Sequence, residues 1–137
     1  DRPTPAQAAT LYGTAMTQRT YARLNMLAAT LLDAGLNVIV DAAALRRPER
    51  DALRALAAAH DAEFRLVECV APEAVLRARI AQRQADDRDA SDADQDVLSL
   101  QLRICEIPAS EEGALRLDTD ADPEVVRRRC LALAARL

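Results

Sequence analysis

Asn37-Val38-Ile39-Val40-Asp41 is a β-branched run with no polar alternation, and it ends on an acid. A half-exposed strand alternates apolar with polar side chains, so an unbroken run predicts a strand buried on both faces of a parallel sheet. Upstream, Leu24, Leu27, Ala28, Leu31 and Leu32 fall at i, i+3, i+4, i+7 and i+8, one face of a helix that begins at about Thr17 and stops at Gly35. Downstream, Pro48 suits the first turn of a second helix whose Leu53, Leu56 and Ala57 face inward.

The same alternation continues. Residues 64–70, FRLVECV, predict a second strand, and Pro72 opens a third helix carrying Val75, Leu76 and Ile80. A polar stretch follows, in which Ser91 and Asp94 resemble a capping box for a fourth helix through Val97, Leu98, Gln101, Leu102 and Cys105, ended by Pro108. Residues 114–118, ALRLD, predict a third strand. Asp122 as N-cap and Pro123 at the first helical position open a closing helix with Val126, Cys130, Leu133, Ala134 and Leu137 on one stripe. Strands alternating with helices predict right-handed crossovers and a three-layer α/β/α fold around a parallel sheet. Ligands of such sheets bind beyond the carboxyl ends of the strands, here near Asp41, Ala71, Asp118 and Asp120.

The length of 137 residues, half of them apolar, predicts one domain over residues 1–137, with residues 1–13, which carry Pro3 and Pro5 and show no period, as a linker. Phe64, Tyr12 and Tyr21 are the whole aromatic supply, which leaves Ala, Leu and Val to fill the core. All 18 basic residues are arginine, so chemistry that requires a lysine is excluded. A net charge of −4 and a pI of about 5.0 provide no broad basic field for general nucleic-acid binding. Cys69, Cys105 and Cys130 are odd in number and widely spaced, against both a zinc site and a disulfide framework, and they read as small apolar residues of a reducing compartment. No apolar run approaches the ~18 residues of a membrane span, and the cytoplasm is the expected location.

Several side chains carry candidate chemistry. Asp41, at the end of an apolar strand, has the pattern of an acid that holds Mg²⁺ beside a nucleotide, or of an acid that caps the next element. Arg79 and Arg83 share one helical stripe with Leu76 and Ile80; either they leave the core over a cleft and meet phosphate there, or they snorkel to the surface. Arg77 lies off that stripe and reads as solvated. Arg46, Arg47 and Arg50 follow Asp41 closely and either line the same cleft or form a solvated face. His60 has no catalytic constellation around it and receives no role. The triplet Asp118-Thr119-Asp120 invites an aspartyl nucleophile, but that chemistry needs a lysine partner, so a loop bordering a nucleotide pocket is the better reading.

The stretch from Leu11 through Ala57, LYGTAMTQRTYARLNMLAATLLDAGLNVIVDAAALRRPERDALRALA, followed by VLRARIAQR, DASDADQDVLSLQ and LDTD, resembles in order and spacing the AAA-family ATPases that are P-loop kinases. Their relatives include gluconate kinases, polynucleotide 5′-kinases and zeta-type toxins. The resemblance implies ATP and Mg²⁺ as cofactors, a small hydroxylated acceptor as substrate, and Asp41 as the strand-end acid toward the metal. It also implies Arg79 and Arg83 as arginines that close on the triphosphate and residues 84–93 as a lid; by their place at the strand ends, Asp118 and Asp120 are expected beside the nucleotide and Arg46, Arg47 and Arg50 toward the acceptor. Gln101 matches a family position. Some members are fused behind an aminoglycoside-phosphotransferase-like domain, an implied partner here.

Two departures stand out. Ala42 and Ala43 follow Asp41 where the family commonly has a hydroxyl residue. The motif G-x-x-x-x-G-K-[ST] is absent, Gly13, Gly35 and Gly113 being the whole glycine supply. The expectation is therefore a partial domain, missing its first, central strand and phosphate-binding loop and inactive by itself, or, as the alternative, a noncatalytic regulatory or interaction remnant of a kinase. With the central strand missing, residues 37–41 and 64–70 are expected about 10 Å apart without shared hydrogen bonds. Residues 64–70 are expected to pair in parallel with residues 114–118.

Overall fold

Helix α1 spans Thr14–Asp33 in the computed structural model, which describes residues 14–86 and 94–135. Ala28 is buried on its apolar stripe and Leu24 and Leu32 are half-buried, whereas Leu27 and Leu31 remain 44% and 42% exposed, so the covered face is narrower than the periodicity predicts. Gly35, at φ +73°, ends the helix. Its N–H donates to the Leu32 carbonyl at 2.8 Å and the Leu36 N–H to that of Leu31 at 3.0 Å, a reversal that needs a left-handed residue. Helix α2 (Arg47–Ala59) has Pro48 in its first turn, and the Arg46 N–H at its start donates to Glu49 Oε2 at 3.1 Å.

α1 and α2 pack together as the first compact unit, which extends to Phe64. His60 Nδ1 meets Asp33 Oδ1 at 2.7 Å, joining the ends of the two helices, and the Arg54 guanidinium lies 4.7 Å from the centre of the Phe64 ring. The expected strand at residues 37–41 is not formed. Val38 and Val40 are half-buried and Ile39 is 95% exposed, in place of burial on two faces. β-branched side chains favour extended backbone, but a strand also needs a neighbour to take its N–H and C=O groups, and among the described residues no ladder reaches this segment.

The second unit begins at Arg65 and contains β1 (Val67–Val70), α3 (Glu73–Asp86), α4 (Gln95–Ile104), a 3₁₀ turn (Ser110–Glu112), β2 (Leu115–Asp118) and α5 (Pro123–Ala134). β1 and β2 pair in parallel with Val67 opposite Leu115 and Val70 opposite Asp118, the expected pairing with both strands trimmed to four residues. Ile80, Val97, Leu98 and Leu117 supply the buried apolar side chains here. α4 is capped by Asp94, whose Oδ1 accepts the N–H groups of Asp96 and Val97, both at 2.9 Å; a cap of this kind stabilises a helix by about 1 kcal/mol. Asp122 caps α5 in the same way through the Glu124 N–H at 2.9 Å. The expected linker 1–13, Ser91, Leu137 and most of the expected lid 84–93 lie outside the described residues.

Arg77 is not the solvated residue that its position off the stripe suggests. Its Nε donates to Glu73 at 2.8 Å, its Nη1 to Gln95 Oε1 at 3.1 Å and its Nη2 to Ser99 Oγ at 3.2 Å, while Gln95 Nε2 donates to the Arg77 carbonyl at 2.9 Å. A guanidinium offers five donors in a fixed fork, and here that fork braces α3 against α4. Among the described residues the fold is thus mixed α/β, five helices with a small parallel two-stranded sheet. None of the described helices is long and apolar enough to cross a membrane.

Candidate functional site

The carboxyl end of the β1–β2 pair is closed by Thr119. Its N–H and Oγ1 both donate to the Val70 carbonyl, at 2.8 and 2.9 Å. From α3, Arg79 reaches the same residue, donating through Nη1 to Thr119 Oγ1 at 3.2 Å and through Nη2 to the Thr119 carbonyl. The buried side chain of Ile80 seats this face of α3, and Arg83 follows one turn after Arg79, half-buried in the last turn of the helix. Arg79 therefore projects to the strand-end side of the sheet.

Asp118 Oδ1 accepts the Asp120 N–H at 2.9 Å, which folds the triplet into an Asx turn. Arg129 Nη1 donates to the Asp118 carbonyl at 2.8 Å and lies 3.4 Å from Oδ2 of its carboxylate. Both side chains are more than 40% exposed, so this ion pair adds little beyond the backbone bond. Arg116, Leu117, Asp118, Arg129, Ala132 and Leu133 line a groove of about 440 Å³.

In the first unit Asp41 is exposed, just before a bend at Ala42 that leads through Ala43 to Ala44. Ala44 sits at φ +43°. Its N–H donates to the Tyr21 hydroxyl at 2.7 Å, and its carbonyl accepts from Arg50 Nη1 at 3.1 Å. The three arginines after Asp41 separate. Arg46 is exposed at the start of α2, Arg47 pairs with Asp51 at 3.5 Å on the solvated face, and Arg50 is only 3% exposed. Arg50 faces into the unit, where a buried guanidinium needs acceptors and the Ala44 carbonyl supplies one.

Burial pushes the Tyr21 phenol above its ordinary value of 10.0; the Ala44 N–H works against this, and the negative charge of Glu49 adds to it. The folded state thus holds that proton more tightly than the unfolded chain. Its contribution to stability is intact below about pH 10 and is lost as pH rises through the folded value. With no lysine in the sequence, few other groups titrate there. Thermal melts from about pH 9 to pH 11.5 are expected to show a decline in melting temperature that is shallower in Tyr21→Phe. Equal slopes for the two proteins would refute this reading.

As a metal ligand Asp41 offers one exposed carboxylate, and among the described residues no group of three or more His, Cys, Asp or Glu side chains could hold an ion. That donor set fits Mg²⁺ in a nucleotide site, where one or two carboxylates suffice and phosphates and water complete the shell; it does not fit an all-protein cage. The first unit carries an acid after an apolar segment, and the second carries arginines at a strand end. A family model described as an AAA domain matches residues 2–108, well over half of the chain, and the chain belongs to this P-loop kinase-like family. The match stops before β2 and α5. No curated protein and no solved structure matches.

Sequence reasoning gave Tyr21 and Thr119 no role of their own, read Arg77 as solvated, and set Arg50 toward the acceptor or a solvated face rather than inward. Arg50 had a signal: with Leu53 and Ala57 it falls at i, i+3 and i+7 on the inward face of α2, the same pattern that marks Arg79 and Arg83. Tyr21 shares that spacing with Leu24 and Ala28 on α1.

Proposed function

We propose that the full-length protein transfers the γ-phosphoryl group of ATP, with Mg²⁺, to a small hydroxylated acceptor, in the manner of the gluconate, polynucleotide 5′-hydroxyl and zeta-type kinases. The observation that carries this reading is the delivery of Arg79 from α3 to the carboxyl end of β2, the side of a parallel sheet on which ligands bind, in a chain of a nucleotide-binding family. Bound Mg²⁺ and ATP supply the electrophile. Asp41 holds the metal directly or through water, Arg79 and Arg83 neutralise charge that builds on the transferred group, and Asp118 and Asp120 border the nucleotide. Arg46 and Arg47 are the arginines left to face the acceptor. In the proposed whole domain a central strand and phosphate loop complete a three-layer sheet, and the protein acts in the cytoplasm, with an aminoglycoside-phosphotransferase-like domain as fused partner.

A second reading, a noncatalytic interaction domain, is favoured by one observation: the 137 residues contain neither G-x-x-x-x-G-K-[ST] nor any lysine. Incubating the full-length protein with γ-labelled ATP, Mg²⁺ and a panel of sugar acids, polyols and 5′-hydroxyl nucleotides separates the two. Label is expected on one acceptor class. No transfer, together with no binding of Mg·ATP, selects the remnant.

A further inference from the structure

We infer that Tyr21 and Arg50 are positioning residues for Asp41, which they serve by holding the peptide groups on either side of the Ala44 Cα; the inference rests on Asp41 facing the metal-nucleotide as proposed above. Ala44 occupies the left-handed region, disfavoured for any residue with a Cβ, where glycine or asparagine is the usual occupant. Nothing in the run Ala42-Ala43-Ala44 favours that conformation, since alanine prefers the right-handed helix. The turn is imposed from outside, by α1 through the Tyr21 hydroxyl and by α2 through Arg50.

The grip is itself held. Glu49 accepts the Arg46 N–H at 3.1 Å, which ties the far end of the segment to the first turn of α2, and its negative charge helps Tyr21 keep its phenolic proton. Arg50, 3% exposed, is an expensive residue to bury, and one of its acceptors is the strained peptide. The peptide before Ala44 cannot flip without giving up the Tyr21 contact, nor the peptide after it without giving up Arg50. Asp41 lies three residues upstream, on the segment whose downstream end these two contacts fix. Strained residues persist where their surroundings over-determine them, and such places gather where a group must be kept in one position.

The test is a double-mutant cycle on the full-length protein, read by calorimetric titration with Mg·ATP and by amide exchange at Ala44. Tyr21→Phe, which removes one oxygen, is expected to weaken Mg·ATP binding about three- to tenfold, the scale of one hydrogen bond, and to speed exchange at Ala44. In an Asp41→Asn background the same substitution is expected to change affinity less than twofold, because Tyr21 acts through Asp41. Arg50→Lys, which keeps the charge and part of the donor set, replaces Tyr21→Phe if the latter does not fold. Unchanged affinity in Tyr21→Phe, or an equal loss with and without Asp41, overturns the positioning role and leaves the kinase reading standing. A wild-type protein that does not bind Mg·ATP overturns both.

Discussion

Arg83→Ala in the full-length protein is expected to lower kcat by roughly tenfold to a thousandfold, the loss typical of one charge-stabilising donor in a preorganised site. The size follows from what a guanidinium does where water is scarce: it meets charge that is larger in the transition state than in the ground state, so its removal falls on kcat rather than on substrate affinity. Arg83 stands one turn beyond Arg79 on the face of α3 anchored by the buried Ile80. Arg83→Lys is expected to recover only part of the loss, because an ammonium lacks the planar fork. A kcat that does not move, with a lowered melting temperature, would make Arg83 a structural residue of the half-buried end of α3.

A polypeptide of these 137 residues alone is expected to bind Mg·ATP too weakly for calorimetry, against clear binding by the full-length protein. The reason is a donor inventory. Phosphate loops hold the triphosphate with consecutive backbone N–H groups at a helix start and a lysine on the β- and γ-phosphates, and the sequence provides neither the glycine pattern nor the lysine. Asp41 and the exposed arginines carry charge but no cradle. Micromolar binding by the 137 residues would show that those side chains suffice, and would remove the main argument for a phosphate loop elsewhere in the protein.

What the sequence made legible was local. α5 followed from Asp122 and Pro123 and α4 from its apolar stripe, although Asp94 is the cap itself and not the third helical residue of a capping box, while the β1–β2 pairing came with the kinase resemblance. The two helices depend on residues within one or two turns of each other, whereas the pairing spans 48 positions. The segment at 37–41 failed because a ladder belongs to two strands, and the second is not written in the run itself. Arg77 and Tyr21 escaped notice because their partners lie far along the chain: Gln95 and Ser99 in the one case, Ala44 in the other. Charge and spacing say where a guanidinium points, whereas its acceptors are fixed only when helices pack. The Arg79–Thr119 contact, across 40 positions, is of that kind.

The register of the two strands also sets a timetable for the nascent chain. Val67 pairs with Leu115, some 48 positions later, and α3 and α4 lie between them. The contacts of the first unit are closer in sequence, the longest named here joining Asp33 to His60. During synthesis at about 5 to 20 residues per second, the α1–α2 pair can close while β1 still waits roughly 2 to 10 s for its partner. For that interval β1 is an unpaired edge with Val67 and Val70 uncovered, a hazard in a crowded cell. Glu68, in the middle of the strand, places a charge on the waiting edge, the kind of residue that discourages a stranger's strand from pairing there first.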